Sequence, residues 1–120
     1  MSDLEARGLL DRTAIVLTAD HGEDLGRRGH EGHGVDAYED TVHVPMALRI
    51  PGCAPHTIDA PTSHNRIAAT LIRLAGYEPG RPTLLSATPA ATVVSEVFAD
   101  ELLADEHRYK RALISGHDKL

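Results

Sequence analysis

An aspartate, a histidine and a glycine stand together at residues 20–22, and their types suit the capture of a divalent cation. Asp20 offers a hard carboxylate oxygen, and His21 a ring nitrogen once it is deprotonated. Two donors are too few for a full shell. Others must come from His30 and His33 or from outside this stretch. The simpler reading of an Asp-His pair after a strand is a cap and a surface imidazole. Gly22, Gly26, Gly29, Gly32 and Gly34 weigh against it, since glycine this frequent loses much chain entropy unless the backbone must take special angles. His30 and His33, interleaved with these glycines, could also act on a substrate. An imidazole can protonate a leaving oxygen or, as a cation, neutralise a developing oxyanion. The alternative for each is a solvated loop histidine, which suits His30 better. Glu23 and Asp24 read as helix-start carboxylates facing an amino-terminal dipole. Arg27 and Arg28 read as solvent-facing, with anion binding as the second reading.

The elements that would position these groups are short. Residues 13–18 (T-A-I-V-L-T) form a β-branched and apolar run that suits a strand covered on both faces, as in a parallel sheet. Asp20 and His21 follow its carboxyl end, where open α/β sheets place their ligand sites. Residues 2–10 read as the end of a helix, capped by Ser2 or Asp3 and stopped at Gly8. Beyond the glycine loop, residues 38–40 suit a helical turn. Val42, Val44, Met46, Leu48 and Ile50 then alternate with polar or small residues, a strand pattern in which Pro45 demands an edge or a bulge. Residues 53–62 read as loop, and Thr62 or Ser63 can cap a helix marked by Ile67, Leu71 and Leu74 and closed by Gly76. Residues 78–89 read as a surface connection, 92–98 as a strand, 99–106 as an acidic turn or loop, and 109–114 as a last strand.

Composition excludes some partners. At 120 residues the chain is at most one ordinary domain, and a net charge of -6 with no basic patch argues against nucleic acid or an anionic membrane. The single cysteine, Cys53, rules out an internal disulfide and leaves the redox compartment and localisation undetermined. No apolar run is long enough to span a bilayer and no leader precedes the domain at Met1, which carries no meaning if the natural chain starts further upstream.

Several segments carry a resemblance. Residues 17–22 (L-T-A-D-H-G), the E-D-L-G that follows, His33-Gly34, Y-E-D at 38–40 and V-H-V-P-M at 42–46 resemble the carboxyl-terminal half of the sulfatase family, within the alkaline-phosphatase-like superfamily. Residues 63–76 (S-H-N-R-I-A-A-T-L-I-R-L-A-G) resemble the family's D-I-A-P-T-L-L-x-L-A-G helix. Gly80-Arg81 with Leu84-Leu85 resembles its G-R-S-L segment, and Ser95-Glu96 and Lys119-Leu120 resemble strands of its small carboxyl-terminal sheet.

The resemblance implies an α/β fold: part of an alkaline-phosphatase-like sheet flanked by helices, with an incomplete small carboxyl-terminal subdomain. Residues 1–90 would belong to the catalytic domain and 91–120 to the start of that subdomain. It implies metal-dependent hydrolysis of sulfate esters in the complete enzyme, with the phosphatases, phosphonate hydrolases and phosphoglycerol transferases of the superfamily as alternatives. Asp20 and His21 match the family's later pair of metal ligands, often aspartate and asparagine. His33 falls where many members carry a lysine that contacts the sulfate and the leaving oxygen; it is expected to act in catalysis and, with His30, to contact substrate. The implied cation is calcium, with manganese or zinc admitted by the imidazole. The implied partner is a small sulfate or phosphate ester.

The family's first metal-binding aspartates and its C/S-x-P-S-R nucleophile segment are not among these residues. Cys53-Ala54-Pro55 does not supply it, because His56 and Thr57 replace the serine and arginine. The chain is therefore expected to be incomplete for catalysis, to self-associate or to need an amino-terminal half. The rival outside enzymes is a truncated module that binds metal weakly or serves only in interactions.

Overall fold

The structure, a computed structural model, describes residues 1–29, 31–34, 36–86, 92–98 and 109–120. It divides into two compact units, Met1–His33 with Tyr38–Thr57, and Gly34–Ala37 with Ile58–Leu120.

In the first unit, helix α1 (Ser2–Ala6) is short and has no side-chain cap, and a 3-10 turn at Leu10–Arg12 leads into strand β1 (Ile15–Thr18). Strand β1 pairs antiparallel with β4 (Met46–Arg49), in the register Ile15↔Arg49 to Thr18↔Met46. This differs from the parallel, doubly covered strand expected from composition: Leu17 is 67% exposed. A β-branched run reports fitness for a pleated surface and does not report the direction of its neighbour. Strand β4 also begins later than the alternation from Val42 suggests, because Pro45 has no N–H for the ladder and pairing starts just after it. The Arg49 guanidinium donates to the carbonyls of Leu10 (2.6 Å) and Thr13 (3.2 Å) and so ties the entry of β1 to the end of β4.

Between β1 and β4 lies a small antiparallel ribbon of β2 (Asp24–Leu25) and β3 (Glu31–Gly32), followed by the helical turn α2 (Glu39–Val42). The expected turn at residues 38–40 is present, moved on by one or two positions. Glu23 and Asp24 do not open a helix: Asp24 starts β2 and is 1% exposed.

In the second unit, α3 (Asn65–Leu74) is the long helix. Ser63 does not hold the cap position, which is His64; its Oγ instead accepts from the Asn65 N–H at 3.5 Å. Gly76, at φ 90°, ends the helix as expected. The helix buries Ala69 and Thr70, while Leu71 is 47% exposed, so the inward face is turned from the expected Ile67-Leu71-Leu74 line. Thr70 accounts for that turn: its hydroxyl donates to the Arg66 carbonyl at 2.6 Å and accepts from the Leu84 N–H at 2.8 Å, fixing the 83–86 segment to the helix. Strands β5 (Val93–Phe98) and β6 (Tyr109–Ser115) stand where strands were expected and pair antiparallel, and β7 (Asp118–Lys119), overlapping the Lys119-Leu120 segment that resembles a strand of the family's small sheet, extends the pair around Gly116 at φ 59°. The acidic stretch at 99–106 lies outside the described residues.

Candidate active site

Asp20 and His21 follow β1 directly, and the reason they can sit there is Gly22. Its N–H donates to the Thr41 carbonyl at 2.8 Å, and a Cβ at this position would lie 1.9 Å from the Asp40 carbonyl oxygen. Only glycine lets the chain run this close to α2. The aspartate-histidine pair is thereby pinned against a helical turn on its carboxyl side and a strand on its amino side.

The two side chains are held by local bonds. Asp20 Oδ1 accepts from the His21 N–H at 3.0 Å. That bond, then its own N–H and the neighbouring imidazole, hold the Asp20 carboxyl below the ordinary carboxylate range, so it is an anion ready for a cation. His21 Nδ1 lies 2.8 Å from the Gly22 carbonyl, which can only accept, so Nδ1 carries a hydrogen and Nε2 is the nitrogen left for a ligand. Asp20 Oδ2 and His21 Nε2 are 3.8 Å apart. Two ligand bonds of about 2 Å each together exceed that separation, so one ion can touch both. The donor set, one carboxylate oxygen and one imidazole nitrogen, fits part of a divalent cation's shell.

His33 arrives by the β2–β3 ribbon. Asp24 pairs with Gly32, and the next rung of the same register sets Glu23 opposite His33. His33 Nδ1 and Glu23 Oε2 are accordingly 3.1 Å apart, and the His33 ring stacks on His21 with centroids 4.0 Å apart and an interplanar angle of 26°. One ligand atom each from His21, Glu23 and His33 falls within 4.8 Å of the others. The structure thus brings together Asp20, His21 and His33 and adds Glu23. His30 lies outside the described residues.

The ribbon is locked by Asp24. Its Oδ1 accepts from the N–H groups of Gly26 (3.1 Å) and Arg27 (3.2 Å), and its Oδ2 from Arg28 Nη1 at 2.9 Å. Arg28 also donates to Asp40 Oδ2 at 3.1 Å and lies over the Tyr38 ring at 4.0 Å. The solvent-facing reading of Arg28 is therefore corrected: it joins the ribbon to α2. Loss of water works against its charge, and the Asp24 and Asp40 carboxylates outweigh that and raise its pKa. No sequence pattern signalled this cluster, because a two-residue strand is too short for a period. His43 pairs with Glu39 at 2.7 Å and stays largely exposed, and Cys53 is an exposed thiol.

The described residues thus form a mixed α/β structure with antiparallel strand pairs, in which Asp20 and His21 follow the carboxyl end of β1. The chain belongs to the sulfatase family, whose model matches residues 1–77. It is 29% identical over 100 residues to the uncharacterized sulfatase YidJ of Escherichia coli (83% of this chain, 19% of that protein). It is 38% identical over 68 residues to a choline-sulfatase of Rhizobium meliloti (57% and 13%) and 30% identical over 101 residues to mouse arylsulfatase K (83% and 18%). Among solved structures it is similar to a phosphonate monoester hydrolase from Silicibacter pomeroyi, with a TM-score of 0.76 and 25% identity over 99% of this chain and 29% of that one. The chain thus spans less than a third of the proteins it matches. Among the described residues, no helix is long and apolar enough to cross a membrane.

Proposed function

We propose that the chain forms the carboxyl-terminal portion of a sulfatase-family ester hydrolase, in which Asp20 and His21 are two ligands of a divalent cation and His33 serves the leaving group. The observation that carries this is the convergence of Asp20 Oδ2 and His21 Nε2, 3.8 Å apart, with His33 stacked beside them. Residues 1–90 would complete the catalytic domain and 91–120 begin the small subdomain. When bound, the cation supplies Lewis-acid polarisation of the ester's oxygens. Asp20 contributes charge to that site, His21 a fixed lone pair, and His33 a proton for the departing oxygen. His30 is assigned to substrate contact. Calcium suits the carboxylate, while the imidazole equally admits manganese or zinc.

In the enzyme that carries this segment, Asp20→Ala is expected to abolish turnover of sulfate esters and weaken metal binding. Near-normal activity would overturn the ligand assignment. A second reading, a phosphonate or phosphate ester as substrate, is favoured by the likeness to the phosphonate monoester hydrolase over nearly the whole chain. Paired assays with sulfate, phosphate and phosphonate esters of the same leaving group separate the two.

A further inference from the structure

We propose that Glu23 is a positioning residue for His33, and that the two stacked imidazoles are assigned different tasks by the different acceptors on their Nδ1 atoms. This rests on the reading above that His33 serves the leaving group. Both rings bond through Nδ1. His21 gives it to the Gly22 carbonyl at 2.8 Å, and His33 gives it to the Glu23 carboxylate at 3.1 Å. In each case the acceptor cannot donate, so the hydrogen sits on Nδ1 and the reactive atom is Nε2.

The acceptors differ in charge. The carbonyl behind His21 adds no charge to that ring, whose Nε2 lies 3.8 Å from Asp20 Oδ2. A carboxylate behind His33 complements a ring that takes and gives a proton at Nε2, the same logic by which a buried acid orients a catalytic histidine. The step balances simply. With His33 starting as the imidazolium, the Nε2 proton passes to the leaving oxygen as the ester bond breaks with its electron pair on that oxygen, the nucleophile supplied by the rest of the enzyme bonds to the central sulfur or phosphorus, and the ring is left in its neutral Nδ1–H form.

The register makes Glu23 a built partner. The pairs Asp24↔Gly32 and Leu25↔Glu31 place Glu23 directly across from His33, and Gly22 anchors Glu23 from the other side through the Thr41 carbonyl. The stack at 4.0 Å holds the plane of the His33 ring, and the bond to Glu23 selects the edge that carries Nδ1. Among the described residues, no hydrogen bond reaches His33 Nε2, which leaves it open to a substrate oxygen.

The test is the tautomer of His33 in the purified chain, read from two-bond proton–nitrogen correlation spectra at mildly alkaline pH. The wild type is expected to show His33 with the hydrogen on Nδ1. Glu23→Ala is expected to return it to the Nε2–H form that free imidazole side chains prefer, while Glu23→Gln, which keeps an acceptor oxygen, retains the Nδ1–H form. The His21 pattern should be unchanged in all three. A wild-type His33 in the Nε2–H form, or an unchanged His33 in a folded Glu23→Ala variant, overturns the proposal. The wild-type spectrum decides the matter if the alanine variant does not fold. Manganese added to the same wild-type sample separates this proposal from the reading it rests on. Selective broadening at Asp20 and His21 with the wrong His33 tautomer removes only the Glu23 role. The expected tautomer without that broadening removes the metal reading.

Discussion

Asp24 is the most deeply buried charged side chain near the site, at 1% exposure, and its position is tolerable because backbone and guanidinium donors surround it. Asp24→Ala withdraws the acceptor from the Gly26 and Arg27 N–H groups and from Arg28, and is expected to destabilise the chain by about 2 kcal/mol. Denaturant midpoints measure this. Gly22→Ala acts differently, by collision: with 1.9 Å to the Asp40 carbonyl oxygen the backbone must move, at a cost of about 3 kcal/mol or more. It should displace Asp20 and His21 and abolish cation binding even where the chain stays folded, which amide spectra with and without manganese would reveal. For Asp20 the sign follows from its lowered pKa. Stability from the ionised form is fully present above the ordinary carboxylate range and is lost as pH falls through the lowered value. Asp20→Asn should remove that acid-side loss, seen in melts taken from neutral pH down to about pH 2. At this scale the proximity of Asp20, His21 and His33 was legible, because a glycine-rich loop after a strand end can fold back on the residues that start it. Glu23 was not, because its partner His33 is set by a register that residue types alone do not disclose.

Among the elements, α3 was the most legible in existence and the least in orientation. Its apolar spacing and closing glycine are local signals, whereas the face it buries depends on Thr70 gripping Leu84 from another segment. Thr70→Val keeps the shape and removes both bonds of the hydroxyl. It should lower stability by about 1–3 kcal/mol because the Leu84 N–H loses its acceptor, with protection of that amide in hydrogen exchange as the sharper measure. The strands show the reverse. Strands β5 and β6 were readable from residue type, while the antiparallel pairing of β1 with β4 was not, since pairing direction depends on the chain between them.

For the whole molecule, the apolar residues tell more by where they are exposed than by where they are buried. Among the described residues, only Ala69 and Ala112 are buried hydrophobics, whereas Leu17, Leu25, Leu71, Ile72, Tyr77 and Val94 are exposed by 44% or more. Strands β1 and β4 form a two-stranded sheet, and such pairs are marginal in water without further cover. The same faces would be covered by the rest of a longer family member, or by other copies of this chain. Expressed alone, the chain is expected to show concentration-dependent light scattering and a broad melt; a sharp monomer with a cooperative melt would contradict this.

The claim at the centre is that the end of β1 binds a divalent cation through Asp20 and His21. Manganese titration of the isotope-labelled chain tests it most directly, because paramagnetic broadening reports weak binding from a partial shell. Saturable broadening centred on residues 20–23 and His33, and lost in Asp20→Ala, is the predicted result. Broadening spread evenly over the acidic surface, or the same in Asp20→Ala as in the wild type, would contradict it.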